Sequence, residues 1–381
     1  MNKEPQKVGV QVASSHLKET SSAIEALLED LDAASAKLTL VFYGASHDDE
    51  AIATALDRAT GARGVAGTTA GELTSEGFAH DSMTGISIHG PEVRSAVEVI
   101  PQLDNLSLVP IVHLPDKLAR GIDRRRDELD PDRHLWLFLV DGISGKEGLL
   151  TPFFMQAAPN VGLVGGSLGD DTSFRKVRLI HHGRIYRDAA ASILVEYPRP
   201  FTVFKHTHMK LTDQRLEATK VAKGGRLLEE LDGEIAQIAY ARALDIDPSE
   251  VTTDLVSQHP LGYRFRGQPF PVAIMQITKD GAFRLGSSIQ HGEELSILES
   301  DELVDHTRRS LAQDLDRIDA DHAQGMLLFH CVARHTEAAA HNQVDQLADA
   351  LCQAPVCGLN TYGEQFKTLH VNHCLTGVVF G

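Results

Sequence analysis

Aromatic side chains are sparse in this chain: 14 Phe, six Tyr and a single Trp among 381 residues, with no segment that concentrates them. Cysteine is sparser still, and the four present (Cys331, Cys352, Cys357 and Cys374) all fall near the C-terminal end. The Cys352-x4-Cys357 spacing is not that of a zinc knuckle, and His330-Cys331 has no second pair at ligand spacing, which argues against structural zinc. Positive charge is short, with 36 Lys and Arg against 53 Asp and Glu and a formal net charge of −17. A field of that sign repels phosphate backbones and anionic lipid, so nucleic-acid and membrane-surface binding are excluded. The longest basic cluster, Arg124–Arg126, is flanked by Asp123, Asp127 and Glu128 and reads as a solvated helix face. No apolar run approaches the roughly 20 residues of a membrane helix. The opening MNKEPQKVGVQVASS lacks a signal-peptide core, so a cytoplasmic protein with reduced thiols is expected.

Catalytic and nucleotide signatures are missing too. Gly67-x3-Gly71 and Gly165-Gly166-x2-Gly169 are neither dinucleotide nor P-loop fingerprints. Each carries an acid (Glu72, Asp170-Asp171) where a phosphate wants donors and positive charge. These turns read as structural, with glycine supplying positive φ and the Thr hydroxyls and acids satisfying exposed amides. Cys331 with His335, or Ser167 with Asp170, makes a nucleophile and base only on paper, since neither sits in a recognised motif. The chain is not expected to be an enzyme.

What is present is a repeat. With 42% hydrophobic and 23% charged residues the chain is globular, and its length suits two or three folding units. LTLVFYGAS from Leu38 reads as a buried strand, DDEAIATALDRA as a helix, Gly67–Glu72 as a turn, and Ser82-Met-Thr84-Gly85-Ile-Ser-Ile as a further strand. The same order returns near the C-terminus, from Gly325–Ala333 through His341–Leu351 and Gly358–Glu364 to Cys374–Phe380. A third copy lies between them: Leu135–Val140, Gly148–Ala158, Gly165–Asp170 and Ala191–Val195. The expected fold is α/β, with internally duplicated β-α-β-β units packed as two related halves on mixed sheets. The boundaries read as an N-terminal lead-in over 1–30, a first domain over 30–210, a linking helical segment over 211–258 and a second domain over 259–381. Helix is expected from Thr219 to Leu244, interrupted by Asp232-Gly233, and Asp280-Gly281 marks a hairpin.

GTTAGELTSEGF with DSMTGISI and GGSLGDDTSF resembles the N-terminal half of the FIST family of bacterial sensory domains. His259-Pro260-Leu261-Gly262, Phe329–Arg334, Gly358–Glu364 and Val371-Asn372-His373 resemble its C-terminal half, so the resemblance spans about residues 30–381. The stand-alone form, with Lys205-His-Thr-His-Met-Lys210 and Thr212–Leu216, is similar to the haem-binding, nitric-oxide-sensing branch of that family. The resemblance implies a sensor that holds a b-type haem (haem b) on a histidine, binds nitric oxide and signals to a partner sensor histidine kinase. It implies as the alternative a haem-free module for a small, amino-acid-like ligand. A homodimer is left open.

In an extended strand residues i and i+2 share a face, so Phe204, His206 and His208 are expected to line up as an apolar floor beside an imidazole. His208 is the first choice of haem and metal ligand and His206 the second; the alternatives are an exposed strand or another metal. His330, His335, His370, His373 and Cys331 compete as axial ligands, and the absence of CxxCH excludes covalent attachment. For the haem-free alternative, the glycine turns are the pocket walls, and Arg334, Thr361, Tyr362 and Glu364 clamp an amine and a carboxylate.

Overall fold

The computed structural model describes residues 8–171, 173–318 and 323–381. Three successive stretches build one pattern. The first runs β1 (Gly9–Ser15), α1 (Thr20–Asp30), β2 (Leu38–Tyr43), α2 (Asp49–Thr60), β3 (Gly64–Thr68), the hairpin β4 (Glu72–Thr74) and β5 (Gly77–Ala79), and β6 (Met83–His89). The second runs β7 (Arg94–Pro101), α3 (Leu108–Val112), α4 (Leu114–Gly121), β8 (His134–Asp141), α5 (Glu147–Ala157), β9 (Gly162–Leu168), the hairpin β10 (Leu179–His181) and β11 (Arg184–Tyr186), and β12 (Ala189–Glu196).

The third begins with β13 (Phe201–His206) and is then interrupted by β14 (Met209–Val221), β15 (Leu227–Leu231), β16 (Glu234–Ile235), α6 (Ala236–Ala243), α7 (Thr253–Gln258), β17 (Leu261–Phe265), β18 (Gln268–Val272), β19 (Ile274–Ile277), β20 (Phe283–Leu285) and β21 (Glu294–Ser300). It resumes with α8 (Leu303–Arg317), β22 (Gly325–Cys331), α9 (Val332–Ala340), α10 (Val344–Leu351), β23 (Val356–Thr361), the hairpin β24 (Glu364–Phe366) and β25 (Leu369–Val371), and β26 (Leu375–Phe380).

Each unit makes a mixed six-stranded sheet whose outer two strands come from another unit. The orders are β1-β6-β2-β3-β10-β11, β7-β12-β8-β9-β24-β25 and β13-β26-β22-β23-β4-β5. The first unit therefore takes the hairpin of the second, the second that of the third, and the third that of the first. Within each, one parallel pair (β2/β3, β8/β9, β22/β23) is joined across a helical crossover. Units one and two form the N-terminal half; unit three, with its inserted sheet, forms the C-terminal half.

Strand alternation makes the packing. Leu38, Leu40 and Phe42, then Leu135, Leu137 and Leu139, then Leu327 and Phe329 all point into one central core enclosed by the three sheets. Their alternate neighbours face outward under helices: Val41 and Tyr43 beneath α1 and α2, Trp136 and Phe138 beneath α5, and Met326 and Leu328 beneath α8 and α10. Among the described residues no helix is long and apolar enough to cross a membrane.

Three readings are corrected. The stretch read as a lead-in over 1–30, of which 1–7 lie outside the described residues, is part of the fold from Gly9 onward: β1 pairs with β6 from Gly9↔His89 to Ser15↔Met83, and α1 covers the first sheet. The segment 211–258 is not a helical linker, because β14 and β15 run through it and α-helix is confined to Ala236–Ala243 and Thr253–Gln258. Asp232 (φ 50°) and Gly233 (φ 79°) form a tight hairpin turn that the helical periodicity concealed. These strands join β17–β21 in one eight-stranded sheet with its own core. Finally, Arg124 is not on a helix face; it lies beyond the end of α4 and pairs with the buried Glu196 at 2.8 Å.

Candidate functional site

β13 pairs with β26, placing Phe204 opposite Gly377 and His206 opposite Leu375. The rings of Phe204 and His206 stack at 4.9 Å, as strand alternation demands. Thr207 and His208 form the joint between β13 and β14, and His208 is buried there at 1% exposure. All three side chains lie towards α8: Phe204 packs with Leu311 and Leu315, His206 bonds Asp314, and His208 reaches Thr307 through Arg334.

His208 lands in a buried polar network. Its Nε2 bonds Glu337 Oε2 at 2.8 Å, and Arg334 NH1 donates to its Nδ1 at 3.1 Å. A guanidinium only donates, so Nδ1 carries the lone pair and Nε2 the hydrogen: the imidazole is neutral. Burial lowers the pKa of His208, against the pull of Glu337. Burial pushes Glu337 up, but the bonds from His208 and Ser300 outweigh it and hold the carboxyl at about 2. Arg334, completely buried on α9, also donates to Thr307 of α8 at 2.6 Å. His206 bonds the buried Asp314 of α8.

Glu337 and Ser300 also form the inner wall of a cleft of about 500 Å³, with Asp301, Glu302, Arg308 and Gln343 among its other lining residues. Ser300 ends β21, Glu302 precedes α8, Glu337 sits on α9 and Gln343 precedes α10. The cleft thus lies between the inserted eight-stranded sheet and the third unit, the kind of junction where small ligands bind. Asp301 is held by Lys210 at 2.8 Å and Asp305 by Arg308 at 3.1 Å.

The other expected ligand residues lie elsewhere. Thr361 donates to Glu364 Oε1 at 2.5 Å, and Glu364 Oε2 accepts the Cys374 N–H at 3.2 Å. Burial pushes Glu364 up to about 8, although both bonds oppose it. Thr69, Glu72 and the Ser82 N–H repeat this arrangement in the first unit. Tyr362 donates to Asp170 Oδ1 at 2.7 Å and stacks on Phe174 at 4.1 Å. Of the four, only Arg334 stands behind the cleft.

The glycine turns pack largely against one another. Ala70 N–H donates to Asn360 O at 3.0 Å, Gly169 N–H to Thr68 O at 3.3 Å and Ser167 N–H to Gly363 O at 2.8 Å. A Cβ on Gly165 would lie 1.8 Å from Phe138 O. The turns are the knot that ties the three units together.

As arranged here, His208, the first choice for haem, does not fit it, because both its ring nitrogens are engaged; His206 bonds Asp314 through Nε2. Among the described residues no group of three His, Cys, Asp or Glu is arranged to hold a metal ion. Of the competing histidines, His330 bonds Asn360 at 2.8 Å and His370 bonds Gln365 at 3.2 Å. His335 differs: neither ring nitrogen has a partner, and its ring packs on Phe78 at 4.6 Å. The paper nucleophiles are not assembled. Ser167 donates to Glu147 at 3.2 Å rather than to Asp170, and burial raises the Cys331 thiol far from its reactive form.

Residues 37–234 match the FIST N domain, and residues 236–367 match the FIST C domain. The chain belongs to the FIST family. Its members are sensory domains, and small-ligand binding in signal transduction is their common role. No curated protein matches the chain. The boundary between the two FIST segments falls at the β15–β16 hairpin and α6, inside the eight-stranded sheet rather than between folded bodies.

The cleft residues Ser300, Asp301, Glu337 and Gln343, and the partner Asp314, escape sequence reading. They are scattered polar positions on four elements with no motif spacing. The one usable signal was Glu337, three residues after Arg334 on a helix, which places both on neighbouring faces.

Proposed function

We propose that this FIST protein is a haem-free sensor that takes a small, amino-acid-like molecule into the cleft between β21, α8 and α9, and reports occupancy to a signalling partner. The observation that carries the reading is the contact of Glu337 with both the cleft and His208, the joint residue between two sheets. Asp301 and Glu337 offer carboxylates for an ammonium group, while Arg308 and the head of α8 offer donors for a carboxylate. A ligand bonding Glu337 competes with Ser300 and His208, which biases the packing of the inserted sheet against the third unit. A histidine kinase is the partner class that the family resemblance implies. The protein acts by binding, without catalysis.

The test is calorimetry with the standard amino acids on the wild-type chain and on Gln343→Ala and Arg308→Ala, which alter the cleft rim. Saturable binding that the rim variants weaken supports the reading; binding unchanged in both, or none at all, overturns it.

A second reading keeps haem b and nitric oxide but moves the ligand to His335, whose ring nitrogens are unengaged beside Phe78. A bound haem would supply a ferrous iron for nitric oxide there. Haemin titration decides: a Soret band lost in His335→Ala and kept in His208→Ala supports it, and a colourless wild-type protein removes it.

A further inference from the structure

A second cleft, of about 550 Å³, opens at the head of α2 in the first unit, remote in sequence from the cleft described above. It lies beyond the carboxyl ends of the parallel strands β2 and β3, where open α/β sheets bind ligands. Its far wall is the hairpin borrowed from the second unit, which brings Lys176, Arg178 and Arg187 to the opening. A chain of net charge −17 has collected three cations in one concavity.

Two of the three are unneutralised. Lys176 and Arg187 make no ion pair among the described residues, although most clustered charges elsewhere do. Arg178 is buried and fixed: Nε bonds Asp49 at 3.1 Å, NH1 donates to Val177 O at 2.9 Å, and its backbone N–H donates to Thr68 Oγ1 at 3.0 Å. The acids at the opening are mostly engaged. Asp48 caps α2 by accepting from Glu50 N–H and Ala51 N–H, and Asp49 holds both Arg178 and the Tyr43 hydroxyl. Glu50 alone is unpaired among the described residues.

His47 stands behind the three cations. It lines the cleft at 7% exposure, and its Nε2 is buried with no hydrogen-bond partner. Thr20 Oγ1 accepts the Asp48 N–H at 3.1 Å and meets His47 Nδ1 at 3.2 Å, which ties His47 to the wall of the cleft behind the cations.

We propose that this cleft is a second ligand site, for a small anion carrying a carboxylate or phosphate group, gripped by Lys176 and Arg187 with Arg178 and His47 behind them. The site is built only when the second unit's hairpin docks on the first sheet. An occupied cleft therefore clamps two units together.

The test is calorimetry at low ionic strength with two probes, inorganic phosphate and malonate, on the wild-type chain and on the double variant Lys176→Ala, Arg187→Ala. Both positions are exposed, so the unliganded variant should melt at the wild-type temperature. Saturable binding of either probe, weakened about tenfold or more in the variant, is expected and names the favoured source. Glu50→Gln should tighten it. No binding of either probe, or equal binding by wild type and double variant, overturns the proposal. Gln343→Ala leaves this site untouched, so its failure and that of the first cleft are separable.

Discussion

Arg334 NH1 donates to Nδ1 of His208 at 3.1 Å, and that one bond fixes the tautomer of a histidine at the joint between two sheets. With Nδ1 engaged as an acceptor, Nε2–H must point to Glu337, and Glu337 must stay ionised opposite the buried guanidinium. A strand histidine becomes the middle member of a charge-balanced triad.

Removing the carboxylate should expose that balance. Glu337→Ala removes the carboxylate that accepts from the buried His208 Nε2–H in the network of Arg334, at a cost of about 3–5 kcal/mol. Urea denaturation should show a midpoint shift of that size with unchanged slope. A loss below 1 kcal/mol would mean that water replaces the carboxylate.

Acid should weaken the native state through its buried histidines. Burial first, and then Arg334 and the neighbouring histidines, lower His306 to about 4, while burial lowers His373 to about 3. Both are neutral when folded and gain protons near pH 6.5 when unfolded. At these two sites the unfolded chain thus binds more protons as pH falls from 6.5 towards 4 and stability falls with it, partly offset by Glu364, which burial keeps protonated in the fold up to about pH 8. His306→Gln should reduce the slope of stability against pH in that window by up to one proton. An unchanged slope would show that His306 already titrates normally in the native state.

The turn knot should resist even a methyl group. Gly165→Ala places a Cβ against the Phe138 carbonyl in the middle of the β8–β9 ladder, and overpacking of this kind costs roughly 1–3 kcal/mol or more. Soluble yield and melting temperature should both fall, whereas Gly148→Ala, with open space around it, should match wild type.

Tyr362→Phe tests the link between units two and three. It deletes the hydroxyl that bonds Asp170 at 2.7 Å and keeps the ring stacked on Phe174. A charge-assisted hydrogen bond contributes about 1.5–3 kcal/mol, and chemical denaturation should show a loss in that range.

The repeated unit was legible because each copy carries its own apolar strand, amphipathic helix and glycine turn, all local signals. The structural role of Thr361 and Glu364 was half legible: the turn geometry was foreseen, but the same residues were also cast as ligand clamps. Asp232-Gly233 announced a hairpin that helix-like leucine spacing outvoted. The partners of His208 were illegible, because Glu337 and Arg334 reach it from a helix far along the chain. The hairpin exchange and the clefts were illegible, since they depend on contacts such as Leu359↔Glu72 between distant parts of the chain.

The exchanged hairpins interlock like the folded flaps of a carton, each tucked beneath the next and the last beneath the first. No flap holds until all are in place. The N-terminal FIST segment made alone would carry β4 and β5 with no sheet to join, and β9 with an open edge where β24 belongs. The C-terminal segment would lack the strands that finish its own sheet. The two family segments are thus one cooperative object, and its assembly waits on the last residues of the chain to meet some of the first.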